Sequence, residues 1–337
     1  MDGCMRKARI LAGQHLTIPA GCREVCRDLN GIQAQLASAA AHALRIRATD
    51  KLSESGFGKC WTLRGTMHLF ALEDLPLFLH KGRKRALRPV DEMTGDEYIT
   101  LERLFASAIL EAVGKGVESR DALRAYCAER GMTSQEAQSV FNSWGGTIRC
   151  LAEEGKLCYR PCQEKTFQLC PPFEPMEAEE AELEMARRYF TNYGPATLKD
   201  AAYFFGAPQK RVRAWLDALP VKDVRIEGRE CFWIETGQTQ YPDIPGCLLL
   251  AGFDQLMLGY EKKESPFLPE ESLRGIFSLA GMVSPAILLH GSVVGRWKKT
   301  GGRVELTAFR TLRPAERKRV LGAVERTFDE VKTVAWM

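Results

Sequence analysis

The sequence contains no apolar run of the roughly 18–20 residues that a membrane-spanning helix requires. Its first residues, MDGCMRKARIL, also lack the apolar segment and small-residue cleavage site of a secretory signal peptide. Both absences argue against a membrane partner and against export, and we therefore expect a cytoplasmic protein. Apolar residues make up 45% and charged residues 27% of the chain, as in an ordinary globular protein.

Cysteine is abundant, with eleven residues, but the two-residue spacing of zinc ribbons is missing from the one cluster worth testing as a metal site. That cluster is Cys158, Cys162 and Cys170, with Cys150 upstream, and no histidine lies near it. In a chain without an export signal, thiols are reduced by default. We expect half-buried thiols on a β-hairpin, no metal and no cofactor.

Strong positive charge is also missing, because the net charge is only +4. The basic residues are nevertheless clustered. The three clusters are Lys81, Arg83, Lys84, Arg85 and Arg88; Lys210, Arg211 and Arg213; and Arg296, Lys298, Lys299 and Arg303. Each cluster alone is explained by a solvated face, but together they could follow one polyanion. We take Arg83, Lys84, Lys210 and Arg211 as candidate phosphate contacts.

A chain of 337 residues is long enough for two or three folding units, and a repeated plan occupies its middle. Residues 96–175 have the pattern of three helices and a β-hairpin, and residues 176–240 repeat it after a proline-rich acidic break. This order is the winged helix, a variant of the helix-turn-helix. Residues 1–95 are a candidate third, degenerate copy, in which the wing is unclear.

Capping boxes mark helix starts in both copies, at Thr133 with Glu136 and at Thr197 with Asp200. The pattern predicts that the third helix of the first copy runs unbroken over residues 133–155.

Residues 241–337 change to strand patterns. Strands are predicted within residues 247–260, 286–299 and 303–312, with turns at His290–Gly291 and Thr300–Gly302. An amphipathic helix over residues 313–332 closes the chain. The fold class is therefore α+β, with tandem winged-helix motifs, a small C-terminal β-sheet or barrel, and a closing helix.

Two glutamines, Gln33 and Gln35, lie between two predicted helices. Gly31 ends the first helix, and Ser38 is predicted to cap the second. Residues two apart point to the same side of an extended segment but not of a helix. If this link is extended, both amides point in one direction, with Ala34 behind them.

Residues 60–70 are predicted to form one strand, because they are rich in Trp, Thr, Leu and Phe, with a bulge or a close approach at Gly65. Arg64, Thr66 and His68 would then share a face that could contact DNA. The alternative for His68, which lies between apolar neighbours, is a half-buried position with its hydrogen bonds satisfied.

Four segments, GIQAQ, WTLRGTMHLF, FDQLMLGY and ILLHGSVVGRW, occur here in an order that resembles the AlkZ-like bacterial DNA glycosylases, with their AlkZ and YcaQ branches. The resemblance covers nearly the whole chain. It implies tandem winged helices around a DNA-binding channel and a catalytic triplet at Gln33–Ala34–Gln35. It further implies the removal of bulky alkylated purines, including some interstrand crosslinks. The YcaQ branch would have aspartate in place of Gln35.

The resemblance also suggests a supporting role for Asp254, although Gln255 departs from the acidic residue often found beside it. His290 could insert into DNA from its turn, near Arg296 and Trp297, although an ordinary surface turn is the simpler explanation. Because the triplet has no lysine to form a Schiff base, we expect a monofunctional glycosylase. We also expect it to be a monomer. Its partner would be double-stranded DNA with an alkylated purine.

A winged-helix transcription regulator is the alternative function, and a repeat-built interaction scaffold is a weaker one. A regulator reads bases with its recognition helix, here expected over residues 208–220. In that helix Lys210 and Arg211 suit phosphates, and only Gln209 suits base reading.

Overall fold

The computed structural model of the chain describes residues 1–83, 85, 97–142, 146–161 and 165–337, with the backbone alone for residues 97–104. Lys84, Arg88 and Cys162 therefore lie outside the described residues. Two compact units are present: Met1–Lys51 with Leu183–Met337, and Leu52–Glu182. The division into residues 1–95, 96–175, 176–240 and 241–337 stays a prediction.

Helices and strands alternate in short groups along the chain. The helices are α1 (Gly3–Gly13), α2 (Cys22–Asp28), α3 (Ala37–Arg45), α4 (Leu75–Phe78), α5 (Glu97–Gly114), α6 (Arg120–Ala128), α7 (Ser134–Val140), α8 (Gly146–Glu153), α9 (Ala178–Asn192), α10 (Leu198–Phe205), α11 (Gln209–Ala218), α12 (Gln255–Leu258), α13 (Leu273–Ile276) and α14 (Pro314–Thr327). The strands are β1 (Ile32–Gln33), β2 (Phe57–Trp61), β3 (Met67–Ala71), β4 (Leu157–Tyr159), β5 (Phe167–Leu169), β6 (Val221–Ile226), β7 (Arg229–Ile234), β8 (Cys247–Leu249), β9 (Ala286–Leu289), β10 (Ser292–Thr300), β11 (Arg303–Ala308) and β12 (Thr333–Trp336). Within the part of the chain that is described, no helix is long and apolar enough to cross a bilayer.

The second winged helix matches the prediction. Helices α9, α10 and α11 are followed by the antiparallel hairpin β6–β7, which turns at Glu227–Gly228. The capping box of Thr197 and Asp200 is present at the start of α10. Helix α11 buries Val212 and Trp215 and leaves the polar side of the helix exposed, as its 3.6-residue period requires.

The first winged helix has a broken third helix, so the prediction of one helix over residues 133–155 is wrong. The capping box of Thr133 and Glu136 is present, but α7 ends at Val140 and α8 begins at Gly146. Gly146 has a φ of +71°, and a Cβ there would lie 2.4 Å from the carbonyl oxygen of Ser139. The left-handed backbone together with this close contact requires glycine at this position. The hairpin β4–β5 that follows is confirmed.

Residues 60–70 are a hairpin rather than one strand, which corrects the predicted shared face. Strands β2 and β3 pair with each other, and the chain reverses at Arg64 (φ +55°) and Gly65 (φ +65°). The left-handed pair turns the chain back on itself, so Arg64 and Thr66 lie in the connection and not in a strand. The strands of this unit are ordered β3-β2-β4-β5.

The C-terminal sheet is open, with the order β12-β11-β10-β9-β8, so the chain forms the predicted sheet and not the barrel. Helix α14 covers it through a core that includes Val320, Val324 and Leu306. The predicted hairpin at His290–Gly291 is confirmed. The predicted strand over residues 247–260 is wrong beyond Leu249, because the chain leaves the sheet there and forms α12. Strand β12, parallel to β11, was not predicted.

Candidate active site

The two glutamine amides meet in space. Gln33 Nε2 donates a hydrogen bond of 3.0 Å to Gln35 Oε1. Gln33 is only 5% exposed and Ala34 only 3% exposed, whereas Gln35 lies at the surface. The expected placement of both amides on one side is therefore confirmed, but the strand covers only Ile32–Gln33 and the chain bends at Gln35. Ser38 is not the cap of α3: Leu36 occupies that position without a side-chain bond, and Ser38 lies inside the helix.

The segment before the glutamine pair is held by side chains at the end of α9 and directly after it. Three of them donate to carbonyl groups at the end of α2 and at its C-cap: Arg188 to Arg27 (3.2 Å), Asn192 to Asp28 (3.0 Å) and Tyr193 to Leu29 (2.9 Å). These carbonyls have no partner within a helix that ends here. The left-handed residues Asn30 and Gly31 then turn the chain into β1. The turn leading to Gln33 is thus fixed by bonds that residues 26–35 alone do not reveal.

Gln255 holds the same turn from the other side. Its Nε2 donates a 2.8 Å hydrogen bond to the carbonyl oxygen of Gly31, and the side chain is 1% exposed. An ionised glutamate has no proton to donate to a carbonyl. Glutamine at position 255 departs from the family pattern. Its hydrogen bond stabilises the backbone at Gly31, two residues before Gln33.

Asp254 supports the segment after the glutamine pair, through a partner that sequence reasoning missed. Its two carboxylate oxygens accept from Arg47, at 2.6 and 3.0 Å, and both side chains are fully buried. Arg47 also donates to the carbonyl of Ala43 in the last turn of α3. Asp254 caps α12 through the amide of Leu256. In the sequence, the only indication of this partner was the position of Arg47, a basic residue just after the helix that follows the triplet.

His68 is buried, with 1% of its surface exposed, so its ring does not face a DNA-contacting surface. Its Nδ1 lies 3.1 Å from the carbonyl oxygen of Thr66 and 2.9 Å from Thr62 Oγ1. Burial, with a smaller contribution from the charge of Arg64, lowers the pKa of His68 to about 3. The ring is therefore neutral at physiological pH, and the buried alternative for His68 is correct.

The remaining candidates on this unit are partly buried. The guanidinium of Arg83 donates to the backbone carbonyls of Trp61 and Glu153, and burial lowers its pKa. The hydroxyl of Thr66 donates to the carbonyl of Leu63. These internal bonds compete with phosphate contact for Arg83 and Thr66. Lys84 belongs to the residues that are not described.

The other candidate DNA contacts are accessible. Lys210 is exposed near the start of α11, where Arg211 is half-buried. His290 is exposed at the β9–β10 turn with a φ of +48°, and Arg296 is exposed on β10. Exposure satisfies one requirement of a phosphate contact, and the DNA-binding role of these residues stays a prediction.

The cysteine cluster is partly as expected. Cys158 and Cys150 are buried, and Cys170 is half-buried after β5. Apart from the residues left undescribed, no three histidine, cysteine or acidic side chains lie close enough together to hold a metal ion.

Comparison with known proteins adds three findings. A family model described as DNA glycosylase AlkZ-like matches residues 26–328. A protein of Streptomyces sahachiroi named "Interstrand DNA cross-link repair glycosylase" is 27% identical over an alignment of 325 positions, and the match covers 85% of this chain and 84% of that protein. The solved structure of Streptomyces sahachiroi DNA glycosylase AlkZ matches with a TM-score of 0.73 and 23% identity over 100% of both chains. This structural match confirms the tandem winged-helix fold.

Proposed function

Because this chain belongs to the DNA glycosylase AlkZ-like family, we propose that it hydrolyses the N-glycosidic bond of cationic N7- or N3-alkylpurines in double-stranded DNA, with Gln33 and Gln35 as catalytic residues. The observation that supports this most is the 3.0 Å bond between the two amides, which joins a buried side chain to an exposed one. Family membership decides against the transcription-regulator alternative.

The hydrogen bond between the two side-chain amides orients Gln35 so that it can hold the attacking water. Gln33 occupies one of the two lone pairs of Gln35 Oε1, and the second can accept a hydrogen from the attacking water. The same oxygen places partial negative charge where positive charge develops on the sugar. Gln33 thus acts by orienting Gln35.

A pair of neutral amides is sufficient only when the leaving group is already good. Glutamine accepts no proton at physiological pH, so it is a poor general base. A purine alkylated at N7 carries positive charge and departs with the bonding electrons as a neutral base. Water adds to the oxocarbenium-like sugar and releases its proton to solvent. The protein then supplies position and electrostatic support, which are worth several kcal/mol.

The same chemistry extends to an interstrand crosslink, because its N7-alkylated purines are activated in the same way. We propose a monofunctional reaction, since residues 30–40 contain no lysine to attack the sugar. The protein would act as a monomer and need no metal.

The experiment that tests this function compares duplexes carrying N7-methylguanine and uracil. We expect release of N7-methylguanine to be faster by about 10²–10⁴-fold, the usual contribution of the general acid that a neutral leaving group needs. Single-turnover base release measures both rates. Excision of uracil at an equal rate would overturn the mechanism.

The proposal keeps the other candidate DNA contacts of the sequence. These are Arg64, Thr66, Arg83, Lys84, Lys210, Arg211, His290 and Arg296.

For Lys210→Gln we expect weaker binding and a plot of log affinity against log salt that is less steep by about 0.9, because one phosphate contact is lost. Fluorescence anisotropy from low to high salt measures this slope. Lys318→Gln, with the same charge change on α14, should leave the slope unchanged. An equal change in both variants would indicate that Lys210 makes no specific phosphate contact.

A further inference from the structure

A polar cavity of about 170 Å³ lies where helix α1 begins, beside the turn of the β6–β7 hairpin. We call it the α1 cavity. Its volume is below the roughly 300 Å³ at which pockets for drug-sized ligands begin, so it accommodates only a small group. Its charged lining residues are Arg6, Lys7, Arg229, Lys263, Glu227 and Glu264. Glu264 already pairs with Lys199 and Arg229, so positive charge is in excess and the cavity favours an anion.

Arg6 brings a buried donor to the α1 cavity. The residue is only 3% exposed, and its Nε donates a 3.0 Å hydrogen bond to the carbonyl oxygen of Pro195. Its Nη2 is buried as well and makes no hydrogen bond to any described residue, although Asp200 Oδ2 lies 3.7 Å away. A buried charged donor without an acceptor is costly. An acceptor bound in the cavity would remove this cost.

Lys7 supplies the second cation and is held in a fixed position. Its Nζ donates a 2.8 Å hydrogen bond to the carbonyl oxygen of Gly291, in the turn that carries His290. An ammonium group has three donors, so two remain for a ligand. Burial lowers the pKa of Lys7. An anion beside Nζ offsets this loss of hydration and stabilises the charged form.

Glu227 places a carboxylate at the same position from the turn of the β6–β7 hairpin. A Cβ added at Gly3, the first residue of α1, would lie 2.9 Å from Glu227 Oε1. The charge of Glu227 acts on Lys7 as well, since it raises the pKa that burial lowers. Glu227 is exposed, so its side chain can turn into solvent without opening the core. Its carboxylate is therefore a weak internal counter-ion that a stronger anion can replace.

We infer that the α1 cavity binds a phosphate group through Arg6 and Lys7, and that this phosphate displaces the carboxylate of Glu227. A phosphate offers several acceptor oxygens at once, as Nη2 of Arg6 and the remaining donors of Lys7 require. The phosphate belongs either to the backbone of bound DNA or to free inorganic phosphate. Lys7 also contacts the turn of His290, a candidate DNA contact, so a strand phosphate in the cavity would lie beside that turn.

Isothermal titration calorimetry with inorganic phosphate, in chloride buffer of constant ionic strength, tests the site. We expect wild-type protein to bind phosphate and Lys7→Gln to bind it at least about tenfold more weakly, because a charge-assisted hydrogen bond is lost. Glu227→Gln should bind phosphate several-fold more tightly, because the competing negative charge is gone. Glutamine keeps an N–H donor for Gly291, so Lys7→Gln should unfold close to the wild-type Tm. Lys318→Gln, with the same charge change outside the cavity, should bind phosphate as wild type does.

Anisotropy with an undamaged duplex separates the two sources of phosphate. A strand phosphate predicts that Lys7→Gln makes the plot of log affinity against log salt less steep by about 0.9, with or without calorimetric binding of the free ion. An unchanged slope together with weaker calorimetric binding in Lys7→Gln assigns the site to free phosphate. The inference is wrong if Lys7→Gln and Lys318→Gln behave alike in both measurements. Neither measurement involves base release, so the result is independent of the proposed hydrolysis.

Discussion

Gln35→Ala is expected to lower kcat for release of N7-methylguanine by about 10²–10³-fold, the usual loss when one electrostatic group at a reacting centre is removed. Affinity for the same duplex should change little, because the amide acts mainly on the transition state. Gln35 is exposed, so its truncation should not unfold the protein. Single-turnover release at saturating enzyme, with affinity from anisotropy, measures the two effects separately.

Gln33→Ala should have a smaller effect of the same kind, because Gln33 acts through its 3.0 Å bond to Gln35 Oε1. In the double variant the losses should not add, since the orienting group has no function once Gln35 is removed. Gln238→Ala, an exposed glutamine bonded to the carbonyl of Gln240, is the control and should retain wild-type release. Unchanged release in both Gln33→Ala and Gln35→Ala would place the active site elsewhere.

Asp254→Ala is expected to destabilise the protein by about 3–5 kcal/mol, because it leaves the guanidinium of Arg47 buried without a counter-charge. The substitution also removes the acceptor for the amide of Leu256 at the start of α12. We expect Tm to fall by roughly 10 °C. Thermal unfolding followed by circular dichroism measures the fall.

Two further variants separate the causes of this loss. Asp254→Asn keeps an oxygen for the helix cap but removes the charge, so it should recover only part of the stability. Glu235→Ala breaks the ion pair with Lys222, in which both side chains are more than half exposed. It should change Tm little, because exposed ion pairs contribute little. If Asp254→Ala and Glu235→Ala lowered Tm equally, the buried pair would not stabilise this fold as we describe.

Local sequence patterns correctly predicted the parts of the fold whose structure depends on residues close together in the chain. The helices α9 to α11 and their wing follow from periodicity and from the capping box of Thr197 and Asp200. The common direction of Gln33 and Gln35 was expected from their spacing of two residues, and their hydrogen bond shows it. These features involve residues close together in the chain, so the pattern already contains the physical cause.

Tertiary structure decided the features that depend on distant residues or on strained backbone. The Arg47–Asp254 ion pair joins positions 207 residues apart, and the bond from Gln255 to Gly31 joins positions 224 apart. No local period reveals such partners. The same holds for the hairpin in residues 60–70 and the break at Gly146, where left-handed residues interrupt an apolar pattern that would otherwise continue. The amino-acid sequence by itself therefore determined which side chains are available for the chemistry. Burial and long-range hydrogen bonds determined that Gln33 and Gln35 are held in place and that His68 is enclosed.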